Sequence, residues 1–363
     1  MAVDRAGHPR PMRIAITGAT GNVGSALVER LVAEGRHEVV GLARRLPAED
    51  GTGAVEWHRA DLTDDADEPA LVAAVRGADA VVHLAWGFQP SHRVDHLERL
   101  GVGGTARVLR AVEQTGVPHL VHLSSLGAYS PRRDLAPVAE DYPTQGVPSS
   151  PYSRHKVAAE RLLDAYQADG AAVVSRMRPG IIGQRRAASG LLRYGVPMLV
   201  PARLLRRVPV VPLDRAMVIS MVHADDVADA VVRCVEGRVP GPFNLAAGAV
   251  TVDDIASALG GLHLQVPAAA LRVAVSASWH ARLQQVDPGW IDLARSAPVL
   301  DAGRATRELG WAPSRAARAV LEEVVAGMSA AESGATPVLR ERRITRELAA
   351  LLRRGPVSRR REP

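Results

Sequence analysis

The chain has 363 residues, 47% hydrophobic and 23% charged, a balance typical of a globular protein with one large domain or two closely packed ones. Aromatic residues make up only 3%, which gives no sign of a base-stacking surface or an aromatic cage, and the single cysteine, Cys234, excludes disulfides and cysteine-based metal sites. Because no signal peptide opens the chain and no apolar run reaches membrane-spanning length, we predict a cytoplasmic protein without a membrane partner.

The net charge of +6 belongs to the C-terminal tail. Residues 334–363 hold nine arginines and three glutamates, so the preceding part of the chain is balanced. A nucleic-acid surface would need this positive charge on the folded body. We therefore predict no nucleic-acid partner, and a basic, disordered tail over 334–363 that is dispensable for folding.

After a polar leader over residues 1–11, apolar strand patterns alternate evenly with helical patterns. Strands are predicted over 12–16, 38–42, 54–58, 80–85, 119–125 and 172–176, and helices over 23–32, 71–75, 102–112 and 152–168. This alternation is typical of an α/β protein with a doubly wound parallel sheet, the Rossmann fold. Ligands of such sheets bind beyond the carboxyl ends of the strands, where five residues should converge: Gly18, Arg44, Asp61, Ala85 and Ser125.

The first strand runs directly into a glycine-rich stretch from Thr17 to Gly24. Strand, glycine turn and helix form the first unit of a dinucleotide-binding fold, since glycines let the backbone turn tightly and approach a pyrophosphate at the helix N-terminus. The predicted pyrophosphate site consists of Gly18, Thr20, Gly21, Asn22, Val23 and Gly24.

The second strand leads to Ala43, followed by Arg44 and Arg45. A site for NAD places a carboxylate near this point to hold the 2′-hydroxyl of the adenosine ribose. Alanine followed by a guanidinium pair suits a 2′-phosphate instead, so we predict NADP as the cofactor in preference to NAD. In a chain so rich in arginine, the alternative is an ordinary pair of surface side chains.

The catalytic candidate is the single lysine of the chain, Lys156. It stands four residues after Tyr152 in a predicted helix, so the two side chains share one helix face. An ammonium beside a phenol lowers the tyrosine pKa from about 10 toward the range in which it works as a general acid–base. The alternative is a stray surface lysine.

Residues 12–330 resemble an extended short-chain dehydrogenase/reductase of the NAD-dependent epimerase/dehydratase family. The resemblance rests on nine motifs: Thr17-Gly18 with Gly21 and Gly24; Asp61-Leu62-Thr63-Asp64; His83-Leu84-Ala85; Ser124-Ser125 with Ala128-Tyr129; Tyr152 with Lys156; Arg178-Pro179-Gly180; residues 222–228; Phe243-Asn244-Leu245; and residues 308–313.

The resemblance implies an enzyme in which Tyr152 is the general acid–base and Lys156 holds the nicotinamide ribose while lowering the tyrosine pKa. Ser125 matches the serine that hydrogen-bonds the reacting carbonyl or hydroxyl; the structural alternative is a cap at a strand end. The resemblance also places six residues at the cofactor: Asp61 and Leu62 at the adenine, with Leu84, Ala85, Arg178 and Pro179.

Two positions depart from the family pattern. Gly101 stands where the family usually has an asparagine near the lysine, and Ile219 stands where nucleotide-sugar members carry an arginine that grips the diphosphate. The second departure argues against a nucleotide-sugar substrate. A further cluster, His223 with Asp225 and Asp226, is predicted to cap a helix rather than to bind a metal, and we predict no metal site.

We predict a Rossmann domain over 12–183, to which 215–237 returns, and a smaller C-terminal substrate lobe over 184–214 and 238–330. Three functions stay open: an NAD(P)-dependent oxidoreductase for a small, fairly apolar molecule, a nucleotide-sugar epimerase or dehydratase, and a non-catalytic NADP-sensing protein. Ser125, Tyr152 and Lys156 together count against the third. The expected partner is a small-molecule substrate, with a homodimer as the expected assembly.

Overall fold

The computed structural model of the protein describes residues 11–48, 53–88, 90–195 and 201–341. Its strands are β1 (Arg13–Thr17), β2 (Glu38–Ala43), β3 (Val55–Arg59), β4 (Ala80–His83), β5 (His119–Leu123), β6 (Val173–Pro179), β7 (Ile181–Gly183), β8 (Val210–Leu213), β9 (Val218–His223), β10 (Gly241–Leu245), β11 (Ala249–Thr251) and β12 (Leu262–Gln265). Seven of them form one parallel sheet in the order β10-β6-β5-β4-β1-β2-β3.

Helices cover both faces of this sheet. They are α1 (Asn22–Glu34), α2 (Glu68–Val75), α3 (Val94–Glu98), α4 (Gly104–Thr115), α5 (Pro151–Asp169), α6 (Ala188–Gly195), α7 (Ala224–Gly237), α8 (Val252–Ala258), α9 (Ala268–His280), α10 (Gly289–Ser296), α11 (Gly303–Leu309) and α12 (Ala317–Ser329). One apolar core joins the sheet to α1 and α7, and a second joins it to α2, α4 and α5. The prediction of a doubly wound parallel sheet is confirmed.

The strand order reverses beside β1, which pairs with β2 on one side and with β4 on the other. The chain passes from β1 to β2 in one direction along the sheet and from β4 to β5 in the other. A crevice therefore opens at the carboxyl ends of β1 and β4, where doubly wound sheets bind their ligands. The fold therefore gathers the ends of the predicted strands at one edge. Within the described residues, none of the helices has the length and apolar character needed to span a bilayer.

The predicted division into domain and lobe is wrong at two places. Strand β10, predicted to belong to the lobe, is the edge strand of the large sheet and pairs with β6. Strand β9, predicted to return to the domain, instead joins β7 and β11 in a separate three-stranded sheet. The reason is packing: Phe243 and Leu245 of β10 are buried in the core that joins the large sheet to α1 and α7.

The predicted tail also begins too early. Residues 334–341 lie on the body, where the Leu339 side chain is only 4% exposed and its carbonyl accepts a hydrogen bond from Ser189 at 2.9 Å. Thr336 donates from its hydroxyl to the carbonyl oxygen of Thr20 at 2.8 Å. The rest of the predicted tail, 342–363, lies outside the described residues.

Truncation after Ser333 is therefore expected to lower the free energy of unfolding by about 1.5–3 kcal/mol, the amount gained by burying one leucine side chain. Truncation after Glu341 keeps Leu339 and Thr336 and serves as the matched control. Urea denaturation of the two truncated chains and of the full chain measures the difference. Equal stability of both truncated chains would show that residues 334–341 contribute nothing.

Candidate active site

The turn between β1 and α1 can approach a phosphate closely because two of its residues lack a side chain. Gly18 has a φ of +72°, and a Cβ on it would lie 2.7 Å from the backbone nitrogen of Ala85. A Cβ on Gly24 would collide with the carbonyl oxygen of Gly18. Helix α1 begins at Asn22 after Gly21, which offers no side-chain cap, so the first N–H groups of the helix are left for an anion. This cradle fits a pyrophosphate.

Neighbouring residues hold the turn in place. Thr20 and Val23 are buried, and the backbone nitrogen of Leu84 donates to the carbonyl oxygen of Thr17 at 3.0 Å. The Asn22 side chain donates to the carbonyl oxygen of Ile182 at 3.1 Å, and Gln184 donates to both oxygens of Asn22 at 2.6 Å. Gln184 belongs to none of the family motifs, so its role in the glycine turn was not predictable from the sequence. It fastens the glycine turn to the segment after β7.

Asp61 and Leu62 follow β3 and face the same crevice from its other side. The Asp61 carboxylate accepts hydrogen bonds from the backbone and hydroxyl of Thr63 at 2.9 and 2.7 Å. Burial opposes ionisation of Asp61, but these bonds and the positive charge of Arg44 outweigh it, so the pKa of Asp61 is lowered. Arg44 therefore lies close enough to Asp61 to act on its ionisation, and the two predicted residues share one end of the crevice.

The opposite end is built by the start of α5. Ser150 caps this helix by accepting a hydrogen bond from the backbone nitrogen of Ser153 at 3.3 Å, and Pro151 occupies the first helical position. The Ser153 hydroxyl donates to the carbonyl oxygen of Gly127 at 2.6 Å. The helix start is thus fixed against the turn after β5, which places Tyr152 beside that turn.

Ser125 and Tyr152 are in contact. Both side chains border Gly127, where an added Cβ would lie 2.9 Å from the Tyr152 ring and 3.5 Å from the Ser125 hydroxyl oxygen. The Ser125 oxygen accepts a hydrogen bond from the backbone nitrogen of Gly127 at 3.0 Å. Ser125 therefore also performs the capping role that was its structural alternative. The missing side chain of Gly127 makes room for the phenol.

The pKa of Tyr152 differs from the expectation. Burial raises it to about 12, and the hydrogen bond from Ser125 offsets only part of this effect. The expected lowering by Lys156 is absent because the lysine is engaged elsewhere. Its ammonium donates to the carbonyl oxygen of Leu123 at 2.8 Å and lies 3.4 Å from the centroid of the Trp86 ring.

Arg178 also differs from its predicted role at the cofactor. Its guanidinium donates to both carboxylate oxygens of Glu160 at 2.8 and 2.5 Å and to the Tyr129 hydroxyl at 3.1 Å. Ser124 donates to the same carboxylate at 2.5 Å. Both charged side chains are almost fully buried, and Pro179 ends the strand next to them. Arg178 thus ties α5 to β5 and β6, and it positions the helix that carries Tyr152.

His223 caps α7, as predicted. Its Nδ1 accepts a hydrogen bond from the backbone nitrogen of Asp225 at 3.1 Å, and its Nε2 lies 3.3 Å from Glu323. These contacts orient the helix that returns to the sheet.

The amino-acid sequence matches the model of the NAD dependent epimerase/dehydratase family over residues 14–246. The chain belongs to this family. It is 32% identical over 315 residues to UDP-glucose 4-epimerase of Mycolicibacterium smegmatis, which covers 83% of this chain and 94% of that protein. It is 31% identical over 204 residues to dTDP-6-deoxy-L-talose 4-dehydrogenase of Kitasatospora kifunensis, with 54% and 61% covered.

Among solved structures, MoeE5 in complex with UDP-glucuronic acid and NAD is 25% identical, with a TM-score of 0.64 and 87% of this chain and 98% of that chain covered. The chain spans only 29% of the length of uncharacterised mycobacterial proteins, including one of Mycobacterium tuberculosis, to which it is 30% identical over 316 residues. The epimerase/dehydratase fold therefore extends over most of the chain.

The wall around the tyrosine is aromatic. The Phe88 ring meets the rings of Tyr152 and Trp290 edge-on, at centroid distances of 5.6 and 5.3 Å. Trp290, on α10, lies 5.1 Å from Tyr152, and Trp86 lies 6.4 Å from it. We call Trp86, Phe88 and Trp290 the aromatic wall.

The low aromatic content of the chain gave no sign of an aromatic surface, but a scarce residue type can still be concentrated at one place. The aromatic wall and Tyr152 account for four of the twelve aromatic residues. A sequence signal existed: Trp86 and Phe88 directly follow β4, at the strand end where ligands of this fold bind. Trp290 had no such signal, since it reaches the site from the C-terminal part of the chain.

The other family departure, Ile219, lies in β9 opposite Val250 of β11. It packs against a buried apolar cluster that includes Met221, Ala317 and Val320. No charge-assisted contact to a diphosphate can come from this position.

Proposed function

We propose that the protein is an NAD(P)-dependent oxidoreductase that moves a hydride between its cofactor and the carbonyl or alcohol carbon of a small molecule, with Tyr152 as the acid–base. The observation that carries this proposal is the position of the Ser125 and Tyr152 side chains side by side at Gly127, where Ser125 acts on the ionisation of the Tyr152 phenol. This pair lies at the carboxyl end of β5, at the same edge of the sheet as the glycine turn. In this assignment Tyr152 donates the proton, and Ser125 contributes a hydrogen bond to the reacting oxygen.

The bound cofactor supplies or accepts the hydride. Tyr152 is a protonated phenol near neutral pH because burial raises its pKa to about 12. A protonated phenol can donate its proton to a carbonyl oxygen that gains negative charge, and Ser125 can hydrogen-bond the same oxygen.

The substrate we propose is flat and largely apolar. Phe88 is 45% exposed and Trp290 is half-buried, so both rings present surface beside the phenol. Aromatic rings bind planar groups by stacking or edge-to-face contacts. The apolar packing of Ile219 supports this class over a nucleotide sugar, whose diphosphate needs charged partners.

A second candidate is a nucleotide-sugar epimerase, and the 32% identity to the UDP-glucose 4-epimerase of M. smegmatis favours it. Such an enzyme re-reduces its cofactor within each turnover and keeps it bound. Mass spectrometry of the purified protein, with incubation in UDP-glucose, separates the two candidates. Tightly retained NAD together with formation of the epimer would overturn the reductase proposal; consumption of added NADPH by an aromatic aldehyde or ketone would support it.

We propose NADP as the preferred cofactor because Arg44 stands at the ribose end of the crevice. Ala43 of β2 pairs with Arg59 of β3, so Arg44 and Asp61 follow adjacent strand ends, and the positive charge of Arg44 favours the ionised form of Asp61. NAD is the cofactor named for MoeE5, so this preference separates the chain from that neighbour.

NADPH is expected to bind this protein about 10- to 100-fold more tightly than NADH, since a charge-assisted hydrogen bond to a phosphate contributes about 1.5–3 kcal/mol. Arg44→Ala should remove most of the preference by weakening NADPH and sparing NADH. Titration of both cofactors into wild type, Arg44→Ala and the neighbouring control Arg45→Ala measures it. Equal affinities of wild type for the two cofactors would contradict the assignment.

The cytoplasmic location, the homodimer and the small-molecule partner stay predictions.

A further inference from the structure

We propose that Trp86 is a positioning residue for Lys156, and that its indole ring takes the place of the asparagine that the family usually carries at the position of Gly101. This inference rests on the proposed function only in so far as Lys156 takes part in the reaction. The contact between the lysine ammonium and the indole ring does not depend on that function.

The first observation is the environment of the ammonium. Lys156 Nζ lies 3.4 Å from the centroid of the Trp86 ring and donates one hydrogen bond to the carbonyl oxygen of Leu123 at 2.8 Å. The lysine side chain is only 2% exposed. Tryptophan is the most favourable aromatic partner of a cation, and the attraction is strongest where water is excluded. Ring face and carbonyl thus fix the ammonium from two directions.

The second observation is independent and comes from Gly101. A Cβ on this residue would lie 2.9 Å from two carbon atoms of the Trp86 ring, so an asparagine side chain there would force the indole to shift. Gly101 sits in a π-helical turn, Arg99–Gly103, between α3 and α4. Its carbonyl oxygen accepts a hydrogen bond from the Thr105 hydroxyl at 2.7 Å, which holds the backbone still. Gly101 and Trp86 are therefore coupled, because the indole occupies the space that a side chain at position 101 would need.

The ionisable groups around Lys156 are consistent with a role of the ring in stabilising the charged ammonium. Burial lowers the pKa of Lys156 well below its usual value, and the carboxylate of Glu160 offsets part of this. His83 and His122 stay neutral because burial lowers their pKa values, that of His83 to about 3. Tyr152 is a neutral phenol. The Glu160 carboxylate is bound to Arg178, so the Trp86 ring face and the Leu123 carbonyl are the groups that contact the ammonium directly.

The single lysine makes a direct test possible. Biosynthetic labelling with ¹³C-lysine gives one side-chain resonance, which needs no assignment. In the wild type the ε-protons should be shifted upfield by the ring current of Trp86. Trp86→Leu, which keeps the site apolar, should abolish that shift and lower the lysine pKa by about 0.4–1.5 pH units, the equivalent of a cation–π contact. Trp86→Phe should retain part of both effects.

Trp290→Leu is the matched control, because it removes a ring of the same aromatic wall that does not contact the lysine; it should leave the lysine resonance where it is in the wild type. An unshifted lysine resonance in the wild type, or the same resonance and pKa in wild type and Trp86→Leu, would overturn the proposal. Neither result depends on whether the protein transfers a hydride, so this failure is distinguishable from failure of the proposed function.

The coupling to Gly101 is tested by a double-mutant cycle. Gly101→Asn alone should lower cofactor affinity and single-turnover hydride transfer, because the new side chain displaces the indole. Trp86→Gly alone should cost about 2- to 30-fold in hydride transfer. The double variant should be less impaired than either single variant, since the amide then has room beside the lysine. Additive losses in the double variant would overturn the claim that the two positions are coupled.

Discussion

Replacing Tyr152 by phenylalanine is expected to lower single-turnover hydride transfer by about 10²- to 10⁴-fold, the usual contribution of a positioned general acid. Cofactor affinity should stay nearly unchanged, because the phenylalanine ring preserves the contacts with Phe88 and Trp290. The change removes the hydroxyl whose pKa Ser125 lowers against the effect of burial. The measurement is rapid-mixing oxidation of NADPH with the best carbonyl substrate of a panel, beside a cofactor titration.

Tyr166→Phe is the matched control for this change. Tyr166 lies on the same helix, α5, and packs at the margin of the core beneath α2 and α4, away from the aromatic wall. It should transfer hydride at the wild-type rate. A Tyr152→Phe variant with wild-type turnover would contradict the acid–base assignment, whatever the substrate.

The second large effect concerns stability. Glu160→Ala is expected to lower the free energy of unfolding by about 3–5 kcal/mol, because it leaves the buried guanidinium of Arg178 without its partner. Burial alone would raise the pKa of Glu160, but the bonds from Arg178 and Ser124 reverse this and lower it. The carboxylate therefore stabilises the fold above its unfolded-state pKa, and this contribution is lost as the pH falls through the lower, folded-state value.

Glu68→Ala is the control for that measurement. Glu68 forms a two-bond ion pair with Arg110 at 2.6 and 2.9 Å, but both side chains lie at the surface, where water screens the pair, so the expected loss of stability is much smaller than for Glu160→Ala. Urea denaturation near neutral pH and again near pH 4 measures both variants. Equal small losses in the two would show that the buried pair does not hold α5 to the sheet.

Much of this fold is predictable from the sequence because its signals are local. The run from Met12 to Ile16, the glycine turn and the helical period after it predicted β1 and α1 to within two residues at most ends. The evenly spaced strands up to β6 predicted the doubly wound sheet. The pairing of β10 with β6 is a contact between distant parts of the chain, and Phe243-Asn244-Leu245 carries no local sign of which sheet it joins.

The site shows the same division. Ser125, Tyr152 and Lys156 were predictable as a set because one helix and one strand end place them. The orientation of the Lys156 side chain was not predictable. It depends on contacts with Trp86 and Leu123 and on the missing side chain at Gly101, which leaves room for the indole. The role of Arg178 was also hidden, because its partner Glu160 matches no motif and becomes its neighbour only through packing.

The aromatic wall has an optical consequence. Two of the five tryptophans, Trp86 and Trp290, flank the tyrosine from opposite halves of the chain. Indole emission overlaps the absorption band of a reduced nicotinamide, so a reduced cofactor bound in this crevice would quench these two residues by energy transfer while the oxidised form would not. The same rings that would contact a substrate therefore make the redox state of the bound cofactor visible in the intrinsic fluorescence of the protein.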